Sequence, residues 1–234
     1  IEQKISLLAA MQGHNMLITG GGGVGKSHTI GIIEKNVRDI VLCGTTGVAS
    51  QKINGQTLDS FMGFRGRLDT PDEAKKMSRE VRERLSSATS ILVDEGSMLS
   101  IDRFEQIDAR LKSAKRNNLP FGGVQIIIVA DFCQLKSVIK RSPIGQRLYK
   151  GKVFCFESHV WNEGGFTPYV LTEYVRHGNK DQRKALRHIR LGLELDACVS
   201  KVNMMAQGNV SPDALHIVTS NAHANAINQD AIDK

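Results

Sequence analysis

Short runs of apolar residues alternate along the chain with longer stretches in which apolar residues recur at helical spacing. The first four apolar runs are nearly continuous, as expected for strands that are covered on both faces. The predicted strands are Asn15–Thr19, Ile40–Cys43, Ile91–Val93, Val124–Ala130, Tyr169–Leu171 and Leu215–Val218. The predicted helices are Glu2–Met11, Lys26–Val37, Glu73–Ser86, Ile101–Arg116, Lys180–Leu191 and one from about Ala222. This alternation predicts an α/β fold with a parallel sheet flanked by helices.

The length of 234 residues suits one large domain or two small ones, and we expect a boundary near Thr167–Pro168. Apolar residues make up 41% of the chain and charged residues 24%, which excludes a disordered or fibrous protein. The longest apolar stretch, Val124–Ala130, is too short to cross a bilayer, so no membrane partner is expected. The chain begins at Ile1 without a leader pattern, and we expect the native start to lie upstream.

The net charge of +7 and the pI near 9.3 favour a polyanionic partner such as nucleic acid, although charge alone is weak support. Six basic residues and no acidic ones lie between Lys136 and Lys152. The four cysteines form no CxxC pair, so no zinc site is expected. Cys43, Cys133 and Cys155 have apolar neighbours and are interpreted as reduced core residues, which indicates an intracellular, reducing compartment.

A glycine-rich segment between the first strand and the next helix fits the pattern G-x-x-x-x-G-K-[ST]. Its glycines let backbone N–H groups converge on phosphates, and the following helix N-terminus favours negative charge. Lys26 supplies a positive charge and Ser27 a hydroxyl for Mg²⁺. The residues expected to hold ATP here are Gly20, Gly21, Gly22, Gly23, Val24, Gly25, Lys26, Ser27 and His28.

A pair of carboxylates, Asp94 and Glu95, ends the predicted strand Ile91–Val93. Such a pair alone is usually part of a turn, but together with a phosphate-binding loop it predicts a Mg-ATP site. Asp94 is placed to hold the water shell of Mg²⁺, and Glu95 is placed to polarise the attacking water.

Further ordered motifs run through nearly the whole chain. They are Glu2-Gln3, Gly44-Thr-Thr-Gly-Val-Ala49, Gly55-Gln-Thr-Leu-Asp-Ser-Phe61, Asp94-Glu-Gly-Ser-Met98, Gly122-Gly-Val-Gln-Ile-Ile-Ile-Val-Ala-Asp-Phe-Cys-Gln-Leu135, Phe156-Glu-Ser-His-Val-Trp161, Leu171-Thr-Glu-Tyr-Val-Arg176 and Ile217-Val-Thr-Ser-Asn221. In sequence and order they resemble superfamily 1 DNA helicases of the 5′-to-3′ branch, the PIF-type (petite integration frequency), RecD and Dda-like enzymes. The resemblance implies a RecA-like first motor domain over 1–167, with a short inserted subdomain near 62–88. It also implies the incomplete beginning of a second RecA-like motor domain over 168–234.

The resemblance further implies roles for particular residues. Gln3 would read the adenine edge, Gln134 would sense the γ-phosphate, and Arg176 would neutralise transition-state charge, as such arginines do. The residues implied to line the path of single-stranded DNA are Thr46, Gly47, Thr57 and Phe61. The first three also fit turn and cap positions, and Phe61 fits the core better than base stacking. Arg176 also fits an ordinary surface position.

Five positions depart from the family pattern and bear on the DNA path and its coupling to the nucleotide. They are Asp59 in place of histidine, Ala130 in place of glycine, Lys136-Ser137 in place of two prolines, and His177 in place of glutamine. Within the insert, charges of both signs, with Asp72/Lys76 and Glu80/Arg84 at i, i+4, indicate a solvated helix face.

The resemblance leads us to expect an ATP-dependent helicase that uses Mg²⁺, acts on single-stranded and forked duplex DNA, and is monomeric. The later family motifs do not occur before Lys234, so we expect a fragment of a longer helicase. One alternative is a nucleotide-gated DNA-binding or regulatory module without productive turnover. A small-molecule kinase is a distant third, because no arginine-rich lid segment is present.

Overall fold

The computed structural model describes residues 1–65, 70–137, 143–175, 180–205, 218 and 220–232. The strands are β1 Met16–Gly20, β2 Ile40–Gly44, β3 Gln56–Thr57, β4 Ser90–Asp94, β5 Gln125–Ala130 and β6 Thr167–Leu171. The helices are α1 Glu2–Met11, α2 Lys26–Asn36, α3 Gly47–Lys52, α4 Leu58–Met62, α5 Pro71–Ala74, α6 Arg79–Ser87, α7 Ile101–Lys115, α8 Pro143–Tyr149, α9 His159–Glu163, α10 Lys180–Leu191, α11 Leu195–Met205 and α12 Asn221–Ile232. Within the described ranges, no helix is long and apolar enough to span a membrane.

The six strands form one parallel sheet in the order β3-β2-β4-β5-β1-β6, which confirms the predicted fold class. Every residue of β4 and β5 is buried. Since successive side chains point to opposite sides of the sheet, both faces of these central strands are covered. Ile126 and Ile128 of β5 pack with α7 on one face, while Ile127 and Val129 pack with α1 and α2 on the other. All six carboxyl ends therefore lie along one edge of the sheet.

Five predicted strands are confirmed to within two residues at each end, and the sixth, Leu215–Val218, lies outside the described residues except for its last position. Helices α1 and α10 match their predicted bounds, and α2, α7 and α12 match to within one residue. The two-residue strand β3 was not predicted, because it is too short to show alternation.

The position of the expected boundary near Thr167–Pro168 falls inside strand β6. Residues Thr167–Leu171 pair in register with Met16–Gly20 and belong to the first sheet. Pro168 fits this position because β6 is an edge strand, where a missing N–H need not break a ladder. The first sheet therefore extends to Leu171.

The prediction of one helix over Glu73–Ser86 is wrong, because the segment overlaps two short helices, α5 and α6, with a break between them. Ser78 caps α6 by accepting a hydrogen bond from the N–H of Val81 at 3.3 Å. The buried guanidinium of Arg110 on α7 donates to the carbonyls of Ala74 and Lys76 at 2.6 and 2.8 Å, which keeps them out of a continuous helix.

The same guanidinium donates to the carbonyls of Met62 and Gly63 at 2.8 and 2.9 Å. It also lies over the ring of Phe64, 4.3 Å from its centroid. One buried side chain of α7 thus fixes the beginning and the middle of the inserted segment to the core of the domain. In the described part of this segment, Asp72 pairs with Lys75 and Arg79 with Glu83. Asp72, Lys76 and Glu80 are exposed, as expected for a solvated helix face.

Candidate functional site

The glycine-rich loop joins β1 to α2 at the carboxyl edge of the sheet. Gly20, Gly23 and Gly25 have positive φ angles of 152°, 81° and 88°, which side chains disfavour. A Cβ atom on Gly20 would collide with the carbonyl of Leu171, so the loop also needs glycine for close packing against β6. Gly25 is the N-cap of α2 and brings no side-chain cap, so the first N–H groups of the helix keep their capacity for an anion.

Lys26 is held above this loop, its Nζ donating to the carbonyls of Gly20 and Gly21 at 2.7 and 3.0 Å. Burial lowers the pKa of Lys26 below its ordinary value, against the attraction of Asp131 and Glu95. The adjacent Ser27 and His28 are exposed at the start of α2. Both are therefore accessible to a ligand above the loop.

Asp94 ends β4 and is buried, with Oδ1 accepting a hydrogen bond from the N–H of Glu95 at 2.9 Å. Its Oδ2 is buried without a hydrogen-bond partner among the residues described. An unpartnered buried carboxylate oxygen is costly unless a cation or a water satisfies it, so this atom fits the predicted Mg²⁺ role.

The backbone at Glu95 is held in the left-handed region, with φ of 55° and ψ of 41°. A non-glycine residue in this region is strained, and such strain is commonly found at functional sites. Thr45, which follows β2, donates from Oγ1 to the carbonyl of Glu95 at 3.0 Å and from its N–H to the carbonyl of Asp94 at 3.2 Å. Thr45 thus holds this turn, a positioning role that no sequence motif indicated.

Asp131 follows β5 and is the most heavily hydrogen-bonded carboxylate of the site. Arg190 of α10 donates from Nε at 2.9 and 3.1 Å and approaches from Nη2 at 2.8 Å, and Gln134 donates from Nε2 at 3.0 Å. Burial alone would raise the pKa of Asp131, but the hydrogen bonds and the charge of Arg190 outweigh it and hold the pKa below its ordinary value. Sequence reasoning missed Arg190, because it lies 59 residues from Asp131 along the chain.

Lys26, Glu95 and Gln134 open onto a cleft of about 480 Å³, a size suited to a small-molecule ligand. Its lining residues are Gly22, Gly23, Gly25, Lys26, Ser27, His28, Lys52, Glu95, Gln134 and Val175. Lys52 and Val175 were not predicted. Gln3 reaches the loop from α1, since a Cβ atom placed on Gly25 would lie 2.8 Å from its Nε2. The fold thus brings together the P-loop, Gln3, Glu95 and Gln134, which are distant in sequence.

The four residues suggested for the DNA path divide into two groups. Thr46 and Thr57 cap α3 and α4, accepting from the N–H groups of Ala49 at 3.1 Å and Ser60 at 3.3 Å, as the simpler interpretation expected. Gly47 is exposed beside Thr46. Phe61 is 3% exposed and lies in the core, so stacking of a base on its ring is excluded in this conformation.

Other predicted features have mixed outcomes. Arg176 and His177 lie outside the described residues. Asp59 is paired with Arg103 at 3.2 Å, which offsets its negative charge near any phosphate.

The interpretation of Cys133 as a core residue is wrong, because its position in the turn after Asp131 leaves it exposed. Cys43 and Cys155, by contrast, are buried free thiols.

A mixed group of potential metal ligands lies away from the cleft, between α10 and α11. The ligand atoms of His188, Glu194 and Cys198 lie within 4.8 Å of one another. Nδ1 of His188 is 3.2 Å from Oε2 of Glu194, whose side chain is mostly exposed. We interpret the group as structural, because this contact connects α10 to the residue that precedes α11.

The parallel sheet, the glycine loop around Lys26 and the carboxylates at the ends of β4 and β5 together define a P-loop nucleotide-binding protein. The model of the PIF1-like helicase family matches residues 1–211. The chain therefore belongs to the PIF1-like helicase family.

Individual relatives agree with this assignment. The chain is 29% identical over 218 residues to the ATP-dependent DNA helicase PIF1 of Homo sapiens, covering 92% of this chain and 33% of the relative. It is 30% identical over 222 residues to that of Candida albicans, covering 91% and 23%. The chain thus spans about a third or less of these two relatives.

Among solved structures, the chain is similar to the Pif1 helicase from Bacteroides in complex with ADP-AlF3 and ssDNA. The TM-score is 0.84 at 28% identity, covering 100% of this chain and 56% of that one. This similarity confirms the predicted RecA-like fold.

Proposed function

We propose that this chain is the nucleotide-binding motor domain of an ATP-dependent 5′-to-3′ DNA helicase, coupling ATP hydrolysis to movement along single-stranded DNA. The observation that carries the proposal is the shared cleft, in which a P-loop lysine and the glutamate that follows β4 face the same space. Membership of the PIF1-like helicase family supports the choice of DNA, rather than a small molecule, as the partner.

In this proposal, the N–H groups of the loop and of the start of α2 bind the phosphates, and Lys26 turns from the Gly20 and Gly21 carbonyls toward them. Ser27 and the free Oδ2 of Asp94 would hold Mg²⁺, which would neutralise phosphate charge when bound. Glu95 accepts a proton from the attacking water, and its strained backbone fixes the direction of its side chain.

Two further roles rest on position and a third on the family resemblance. Gln3, beside Gly25, reads the adenine edge, and Gln134 senses the terminal phosphate from the turn after β5. By the resemblance alone, Arg176 completes the charge neutralisation. Each of these roles is a proposal for this chain.

The DNA track follows the carboxyl ends of the neighbouring strands β2 and β3, where Thr46 and Gly47 follow β2 and Thr57 ends β3. Hydroxyl and N–H groups at such turns bind phosphates without reading sequence. The net charge of +7 favours this contact. The Bacteroides relative was solved with ssDNA, which supports single strands as the partner, and we propose forked duplex DNA as the substrate for unwinding.

The residues after the first sheet belong, in this proposal, to a second motor domain, and the protein acts inside the cell as a monomer. Unwinding needs a cleft between two motor domains that closes on ATP and opens on release. The 234-residue chain by itself is therefore expected to bind nucleotide and to leave a forked duplex intact.

The test compares a longer wild-type protein, extended past Lys234, with its Glu95→Gln variant in two assays, Mg-ATP binding and ATP hydrolysis with and without single-stranded DNA. We expect DNA to stimulate hydrolysis in the wild type, and Glu95→Gln to bind nucleotide but lose hydrolysis, because an amide cannot accept the proton. Nucleotide-dependent DNA binding without any hydrolysis in the wild type would instead indicate the nucleotide-gated module. Strand displacement by this chain alone would show that a second motor domain is not required.

A further inference from the structure

Asp131 is a buried carboxylate that accepts hydrogen bonds from three residues, two in the turn that follows it and one in α10. Its side chain is only 2% exposed, and it receives the fork of Arg190, the amide of Gln134 and the N–H of Cys133 at 3.2 Å. A carboxylate so buried costs several kcal/mol unless it is paired, and Arg190 is the cation that contacts it directly. Arg190 in turn is only 26% exposed at its side chain.

This pairing fixes the orientation of the Gln134 amide. An ionised carboxylate can only accept hydrogen bonds, so the amide atom that faces Oδ2 of Asp131 is the nitrogen, and the carbonyl oxygen points elsewhere. A protonated carboxyl group could donate to the amide oxygen and would permit the opposite orientation. Arg190 therefore controls the Gln134 amide through the carboxylate that both of them share.

Arg190 is also positioned over the phosphate-binding loop. Its Cδ and Nε lie 3.7 and 3.9 Å from the position that a Cβ atom would take on Gly21. The charged groups that act on Lys26 in the same region are Asp131, Glu95, Arg190 and Asp94. Arg190 comes from α10, whereas Gln134 follows β5, so the pair connects a helix outside the sheet to the nucleotide cleft.

We propose that Arg190 is a positioning residue that, through Asp131, holds the amide of Gln134 in the orientation that distinguishes a nucleoside triphosphate from a diphosphate. This inference rests on the proposed function, because it assigns Gln134 to the terminal phosphate. It adds a residue from α10 to the recognition of that phosphate. It also implies that displacement of α10 weakens the preference for the triphosphate.

The experiment measures dissociation constants of the 234-residue chain for ADP and for an ATP analogue with a nitrogen between the β- and γ-phosphorus atoms, each with Mg²⁺. The ratio of the two constants isolates the contribution of the terminal phosphate. We expect Arg190→Ala to reduce this ratio about tenfold, because a hydrogen bond to a charged group is lost with the amide orientation. Gln134→Ala should reduce it similarly.

The double variant Arg190→Ala/Gln134→Ala separates positioning from a general structural effect. If Arg190 acts through Gln134, the double variant should be no worse than Gln134→Ala alone, whereas independent effects would add. Arg190→Lys keeps the charge but loses the fork, so it should show a smaller loss in the same direction. Arg187→Ala is the matched control, because it removes an exposed arginine of the same helix.

An unchanged ratio in folded Arg190→Ala, or additive losses in the double variant, would overturn the inference while leaving the proposed function intact. If Arg190→Ala does not fold, an unchanged ratio in Arg190→Lys would overturn it equally. A wild-type chain that binds neither nucleotide would overturn the proposed function and this inference together.

Discussion

Replacing Arg110 with methionine should strongly destabilise the protein, because one guanidinium serves four backbone carbonyls. They belong to Met62, Gly63, Ala74 and Lys76, at 2.6 to 2.9 Å. Methionine keeps most of the length and apolar contact of the side chain, but it donates no hydrogen bond.

The magnitude follows from which carbonyls can reach water. Met62 and Ala74 are completely buried, and each unsatisfied carbonyl there costs about 1–3 kcal/mol. Gly63 and Lys76 are partly or fully exposed, and their carbonyls can be hydrated at little cost. Burial lowers the pKa of Arg110, which reports a desolvation cost for its charge that the substitution relieves. The net loss is expected to be about 3 kcal/mol, a substantial part of the ~5–15 kcal/mol typical of folded domains.

The assay is urea unfolding, followed by circular dichroism and by the fluorescence of Trp161, with the free energy of unfolding extrapolated to water. Arg103→Met is the matched control on the same helix. It also removes a guanidinium from the Phe64 ring, 4.4 Å away, but this guanidinium contacts the side chains of Asp59 and Gln106. We expect it to cost less than about 1 kcal/mol. Equal losses for the two variants, or a loss below about 1 kcal/mol for Arg110→Met, would refute the reasoning.

Three other outcomes are expected. Mg-ATP at about 100 times its dissociation constant should stabilise the fold by about 2.7 kcal/mol in thermal unfolding. Lys26→Ala should lose most of this gain, and an unchanged nucleotide-induced shift in melting temperature would contradict the assigned nucleotide site. Binding to single-stranded DNA, measured by fluorescence anisotropy, should be independent of sequence and weaken steeply with salt, because each phosphate contact releases about 0.7 of a counterion; a flat salt response would contradict a phosphate track. At about pH 8, a thiol reagent should modify exposed Cys133 first, because burial protects Cys43 and Cys155 and raises the pKa of these two thiols to about 12. Equal modification rates of the three thiols, measured by mass spectrometry, would contradict this burial.

The sequence by itself determined the α/β class, most of the sheet and the phosphate-binding loop. These features are local in origin, because apolar runs identify strands covered on both faces, and a lysine after glycines at a strand–helix junction has few other uses. Asp94 and Glu95 were identifiable for the same reason, since they directly follow a buried strand. The DNA-path residues were harder to assign, because threonines at helix starts serve equally well as caps.

Only the tertiary structure decided the features that depend on contacts between distant segments. The pairing of β6 with β1 moved the end of the first sheet past Thr167, because an edge strand with a proline carries little pattern of its own. The break between α5 and α6 coincides with a guanidinium that arrives from α7, 34 to 36 residues away. The pairing of Arg190 with Asp131 likewise joins residues 59 positions apart. Local periodicity contains no information about such partners, because burial and charge compensation are satisfied only when the chain has folded.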